Sequence, residues 1–210
     1  MQIYDISLPL GAETVSWPGD EPFQFRTSLR VANGDSVNLS SFATSSHNGT
    51  HADAPFHYDS DGTTMEQLPL EIYLGPALVA EIATDEEIPL LALEALDLTD
   101  TPRLLLRTAP GRDRTYFPDR IATLSIAGVE WLAARGVRLL GVDVPSVDTV
   151  HSKTLPIHHA IGRAGILILE NLQLDGVPPG RYELIALPLK IIGGDGSPIR
   201  AVLRPITLTS

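Results

Sequence analysis

Proline and glycine punctuate this chain throughout: seventeen of each are spread over 210 residues, so no apolar run continues far before a turn cluster interrupts it. Proline fixes φ and removes a backbone donor, and glycine weakens a helix interior, so long helices are disfavoured. The stretches between are short and β-branched. They read as strands at 2–7, 23–29, 37–45, 77–82, 103–108, 138–143, 165–172, 182–188 and 199–208. Helical period is convincing only at 126–135, where Ser125 can cap the start, Ile126, Val129, Leu132 and Ala133 share a face, and Gly136 suits the stop. A second helix is expected at 90–96 and a short one after Pro156, carrying His158. The pattern predicts an α/β fold with mixed sheets, strand-rich with few helices.

Hydrophobic residues at 43% and charged residues at 20% are ordinary globular proportions, and a chain of this length buries a core without disulfides. No linker, low-complexity tract or repeat is visible, so residues 1–210 are expected to form one domain. Cysteine is absent, which excludes disulfide scaffolds, iron–sulfur clusters and thiol nucleophiles; any metal must be held by His, Asp and Glu. A net charge of -11 repels nucleic-acid phosphates and anionic membranes. No apolar stretch approaches the roughly 18 residues of a membrane span, and Met1-Gln2-Ile3-Tyr4-Asp5 does not read as an export leader. A cytoplasmic location is expected, with neither nucleic acid nor membrane as partner. Gly193-Gly194-Asp195-Gly196 lacks the spacing of a phosphate-binding loop, and no Gly-x-Ser-x-Gly elbow is present.

Three of the six histidines fall within the segment His47-Asn48-Gly49-Thr50-His51-Ala52-Asp53-Ala54-Pro55-Phe56-His57. The interval from His47 to His51 would suit a zinc-binding helix, but Gly49, Thr50 and Pro55 argue against regular helix. An extended strand leading into a turn puts His51 and Asp53 on one face, and a bend at Gly49 can bring His47 round to join them. Imidazole with carboxylate suits zinc, and also manganese or iron, and three protein ligands leave positions open for water. One such histidine would read as part of an ordinary hydrogen-bonded loop; the whole constellation reads as a metal site. Further on, Glu170 ends the apolar run Ile166-Leu167-Ile168-Leu169. A carboxylate there either faces solvent or is buried against a cation.

The run from His47 to His57, His-x-Gly-Thr-His-x-Asp-Ala-Pro-x-His, resembles the signature of the metal-dependent cyclase superfamily, most nearly its bacterial kynurenine formamidases. The likeness extends to Trp17-Pro18-Gly19-Asp20, to 141–146, Ser152-Lys153-Thr154, His158 to Glu170, 177–190 and 197–202, and is loose over 84–125. It implies a mixed β/β/α swivelling-type domain, a homodimer or higher homo-oligomer, and two Zn2+ per subunit, with Mn2+ as the alternative. His47, His51 and Asp53 would hold one ion, Asp53 would bridge, and His158 with Glu170 would complete the second site. The separation of twelve from Glu170 selects His158 over the adjacent His159. Two features depart from the pattern: His151 stands before Ser152-Lys153, and Arg112-Asp113-Arg114-Thr115-Tyr116-Phe117 replaces a Trp-containing segment. Both bear on substrate choice.

The activity so implied is hydrolysis of N-formyl-L-kynurenine, a small aromatic formamide, to L-kynurenine and formate in tryptophan degradation. A metal-activated hydroxide would attack the formyl carbon. Expelling an aromatic amine then calls for a proton donor, the role expected of His57. Trp17, beside the Pro18-Gly19 turn, would stack on the substrate ring, unless it is a core aromatic next to a turn. Relatives acting on the isatin lactam or on polyketides would share the chemistry, whereas a non-catalytic metal-binding domain would keep His57 structural and its pocket closed.

Overall fold

The structure, a computed structural model, describes residues 2–206. In chain order the elements are β1 (Tyr4–Asp5), β2 (Gln24–Leu29), β3 (Leu39–Ala43), β4 (His51–Asp53), β5 (Leu74–Glu81), α1 (Leu90–Glu94), β6 (Arg103–Arg107), α2 (Ile126–Ala134), β7 (Leu139–Val142), α3 (Pro156–Arg163), β8 (Leu167–Glu170), β9 (Gly180–Ile185), β10 (Gly196–Pro198) and β11 (Val202–Pro205). Nine strands form one mixed sheet in the order β1-β11-β9-β5-β6-β7-β8-β4-β10, while β2 and β3 pair only with each other. Strands β5 to β8 run parallel, and their crossovers pass through α1, α2 and α3. The flanking strands are antiparallel. The fold class is thus the strand-rich mixed α/β arrangement the sequence predicts.

The central strands are apolar through their interiors, with charged residues only at their ends, because both faces of the sheet are covered. Side chains alternate between faces with period two. Leu104, Leu106, Leu140 and Ile168 pack on one side with Leu93 of α1, Val129 and Leu132 of α2, and Ile157 and Ile161 of α3. Leu105, Leu139, Leu167 and Leu169 pack on the other with Ile6, Tyr73, Leu184 and Leu203. Each fully buried leucine contributes about 1.5–3 kcal/mol relative to exposure. The same alternation sends Glu170 to the helix side, as Ile168 is, at the carboxyl end of β8.

Several boundaries differ from the sequence reading. β1 keeps only two residues of 2–7, and β10 was not anticipated, because Gly196 and Pro198 are poor strand formers. The strand expected at 199–208 is β11, and Thr207 and Leu208 lie outside the described residues. In α2, Ser125 does cap, its hydroxyl accepting from the Gly128 amide. Ile126, however, is 47% exposed rather than sharing the buried face. As the first helical residue its side chain leans back toward the N-terminus, past the edge of the core. Among the described residues no helix is long and apolar enough to cross a membrane.

Candidate metal centre

The segment that carries three histidines folds as bend, strand and turn. Gly49 takes φ +67, a left-handed conformation that costs glycine little, and the chain bends there before entering β4. Thr50 fixes the bend: its hydroxyl donates to the Asn171 carbonyl at 2.6 Å and accepts from the Leu8 amide at 2.8 Å. On β4, His51 and Asp53 share a face, and the antiparallel register sets His51 directly opposite Glu170 on β8. The turn Pro55–His57 follows and carries His57 to the cavity. From the helix side, α3 starts at Pro156 and delivers His158 in its first turn.

These side chains converge. Asp53 presents Oδ1 to His47 Nδ1 at 3.0 Å and to His51 Nε2 at 3.3 Å, and Oδ2 to His158 Nε2 at 3.6 Å. Glu170 places Oε2 3.4 Å from His51 Nε2 and Oε1 3.6 Å from His158 Nε2, with Oε1 also accepting the Val147 amide. His51, Asp53, His158 and Glu170 are buried. The Nδ1 atoms of His51 and His158 are engaged away from the centre, by the Gly49 carbonyl at 2.9 Å and by Asp148 at 2.7 Å. With Nδ1–H donating in each, Nε2 faces the carboxylates and offers a lone pair once its own proton is displaced. His159, by contrast, is half-buried against the Tyr58 ring.

The electrostatics ask for positive charge. Burial pulls the His47 imidazole down, but bonding to Asp195 and Asp53 outweighs it and holds the pKa at about 9. His51 and His158 behave alike: burial is overcome for His51 by Asp53 and Glu170, and for His158 by Asp148 and Asp53, to about 10 in each case. Asp53 is held well below the usual carboxylate range; burial opposes this, but His158, His47 and His51 prevail. Burial and the neighbouring Asp53 push Glu170 up. Yet His51 Nε2 and Asp53 Oδ2 are buried without a hydrogen-bond partner among the described residues. Orphaned groups of this kind are rare in native interiors unless an ion or water serves them. Lone pairs and carboxylate oxygens directed at one space fit a divalent cation, and His47, His51 and Asp53 offer ligand atoms within 4.8 Å of one another.

A cavity of about 360 Å³ opens onto the cluster. His47, His57, His158 and Glu170 line its floor, and Trp17 and Phe117 stand on its wall with ring centroids 4.9 Å apart, edge to face. Trp17 is half-buried there rather than sealed in a core. His57 keeps 32% of its side chain exposed, and its ring lies 3.9 Å from that of His47. Burial, then the positive neighbours His47 and His158, lower its pKa, with Asp53 and Asp195 opposing.

Two acids went unread in the sequence. Asp148 accepts the Ile157 and His158 amides and the His158 ring, so it both caps α3 and aims the imidazole. Asp195 accepts from Ser46 and lies 3.0 Å from His47 Nε2, which holds its carboxyl far below the usual range. Asp148 stands ahead of the helix that Pro156 opens, and that was its one visible signal. Asp195 sits among glycines, in a segment whose residue spacing carries no signal of a ligand.

Comparison with known proteins accords with this geometry. Residues 4–149 match the model of the Cyclase family. The chain is 46% identical over 205 residues to the kynurenine formamidase of Bacillus mycoides (strain KBAB4), covering 98% of each. It is 46% identical over 200 residues to that of Geobacillus thermodenitrificans (strain NG80-2), covering 95% of this chain and 96% of the relative. Among solved structures it resembles a predicted metal-dependent hydrolase from Bacillus stearothermophilus, with TM-score 0.82, 26% identity, and 96% and 97% of the two chains covered. An isatin hydrolase bound to the product analogue thioisatinate shares the fold, with TM-score 0.81 at 21% identity over 98% of this chain and 93% of that one. By family model and by near full-length identity to its relatives, the chain belongs to the Cyclase family.

Proposed function

We propose that the chain is a metal-dependent amide hydrolase that converts N-formyl-L-kynurenine to L-kynurenine and formate. The observation that carries this reading is a buried cluster of three imidazoles and two carboxylates, with orphaned polar atoms, at the floor of an open cavity walled by Trp17 and Phe117. Relatives at 46% identity named kynurenine formamidase support the choice of substrate. His47, His51 and Asp53 would hold one ion, and His158 with Glu170 a second that shares Asp53; zinc suits these donors, and manganese also. When bound, a dication supplies Lewis acidity at the formyl oxygen and a water ionised near neutral pH.

The protein's part is positioning and proton transfer. Trp17 and Phe117 hold the aryl ring over the floor of the cavity. His57, kept neutral by its surroundings, takes the proton released as oxygen bonds to the formyl carbon. It returns that proton to the anilide nitrogen as the carbon–nitrogen bond breaks, so the arylamine leaves uncharged. The open cavity and the partly exposed His57 favour this over a closed, purely structural metal domain. Homodimer or higher assembly belongs to the same reading, supported by the β2–β3 hairpin, which exposes Phe25 and Phe42 and, among the described residues, bonds to no other strand.

Purified protein should carry metal, hydrolyse N-formyl-L-kynurenine in preference to isatin, lose activity to a chelator and regain it with zinc or manganese. Metal-loaded protein that opens isatin instead, or cleaves neither compound, would refute the reading.

A further inference from the structure

A second cavity of about 360 Å³ adjoins the first: Val15, Phe117, Pro145 and Asn171 line both. Its far wall carries Arg112 and Arg114, which a chain of net charge -11 places side by side. Among the described residues no carboxylate lies within ion-pairing distance of either guanidinium; the ion pairs of this structure use other arginines. The acids nearby are engaged elsewhere. Asp143 accepts from the Thr108 amide, the Thr108 hydroxyl and the Ala109 amide, and Asp175 accepts from the Gly111 amide. Glu13, exposed on the rim, is the one acidic group lining this cavity.

The two arginines differ in what they do. Arg114 donates to the Leu172 carbonyl at 3.1 Å and to the Asp143 carbonyl at 3.4 Å, so it is tethered, with Nε alone left without a partner among the described residues. Arg112 has Nε and Nη1 buried without any acceptor among the described residues. Burial, followed by the adjacent Arg114, lowers its pKa to about 10, which still leaves it charged at neutral pH. A half-buried cation that no carboxylate pairs, with two donors unmet, is costly unless an anion meets it. Guanidinium favours carboxylate, whose two oxygens match its planar fork.

We infer that Arg112 is the anchor for a substrate carboxylate, with Arg114 holding the loop that presents it, so the second cavity selects aryl formamides bearing an anionic tail. The inference rests on the formamidase reading above. With the formyl group at the metal floor and the ring against the wall that Trp17 and Phe117 form together, the α-carboxylate of an amino-acid tail passes into the adjoining space. Glu13 on the rim would face the α-ammonium of the same tail.

The test compares Arg112→Gln and Arg112→Lys with the unaltered enzyme on N-formyl-L-kynurenine and on formanilide, which keeps the aryl formamide but has no tail. Arg112→Gln should raise KM for N-formyl-L-kynurenine about 10- to 100-fold, the usual worth of a charged hydrogen bond. Its kcat, its metal content and its kcat/KM for formanilide should stay within about threefold, and Arg112→Lys should recover part of the loss. Calorimetric titration with L-kynurenine should show the same weakening of affinity. Equal losses on both substrates, or no change on either, would overturn the anchor while leaving the activity intact. An unaltered, metal-loaded enzyme inert toward both formamides would overturn the formamidase reading and the anchor with it.

Discussion

Asp53 faces imidazoles on both sides, His47 and His51 through one oxygen and His158 through the other. A carboxylate so placed can serve two ions at once, which is the physical basis for a shared ligand. His57 stands apart: it meets the cavity and has no hydrogen bond to Asp53 or Glu170. Replacing His57 with Ala should leave metal stoichiometry unchanged and lower kcat for N-formyl-L-kynurenine roughly a hundredfold or more. Elemental analysis beside steady-state kinetics reads both. Loss of metal in that variant would instead make His57 a ligand, as its grouping with Asp53 and His158 permits. At this scale the sequence was most legible where residues crowd together, since His47, His51, Asp53 and His57 occupy one short segment. Asp195 was not legible, because it meets His47 across 148 positions and no spacing argument reaches that far.

Elements were legible in kind more than in extent. Ser125 and Gly136 bracket α2 because capping is local chemistry written in adjacent residues. β10 was hidden because pairing with β4, not propensity, makes Gly196 a strand residue. The glycine there has a use. A Cβ on Gly196 would sit 2.7 Å from His47 Cε1 and 2.9 Å from Nε2, closer than atoms tolerate. Gly196→Ala should therefore push the His47 ring off its position while β10 still pairs with β4. Metal affinity should fall about 10- to 100-fold, the range seen when ligand orientation is lost, with circular dichroism unchanged. Undiminished affinity by competition with a chelator would count against the role given to His47. The hairpin of β2 and β3 is the element whose purpose its own residues leave open: Phe25 and Phe42 are 63% and 62% exposed.

At the scale of the whole molecule, that hairpin predicts association. Phe25→Glu combined with Phe42→Glu should shift sedimentation from dimer or larger to monomer; a wild-type monomer at micromolar concentration would remove the basis for it. Charge balance predicts a second global property. In metal-free protein the His47, His51 and His158 imidazoles have pKa values raised from 6.5 to about 9 or 10. Protonated, they stabilise the fold; that contribution is complete below pH 6.5 and fades as pH climbs through 9 to 10. A dication replaces the protons and competes with them. The gap in Tm between zinc-loaded and stripped protein should widen as pH is raised from 6.5 to 9. A gap that stays constant or narrows would mean the imidazoles do not couple to the ion. The sheet itself was readable as strand-rich and mixed, but its strand order was not, since that order brings β4 between β8 and β10 from the far end of the chain.

β4 is three residues long, and almost everything that steadies it comes later: Asn171 for Thr50, Glu170 opposite His51, Asp195 and Gly196 beyond. During synthesis, the histidine segment leaves the ribosome long before its partners exist. A nascent chain halted before residue 195 would carry every imidazole of the centre yet lack both the strand that braces β4 and the acid that steadies His47. An ion held at this centre would thus be retained firmly only after residues 195 and 196 have emerged, a delay that zinc retention by stalled chains of graded length would register.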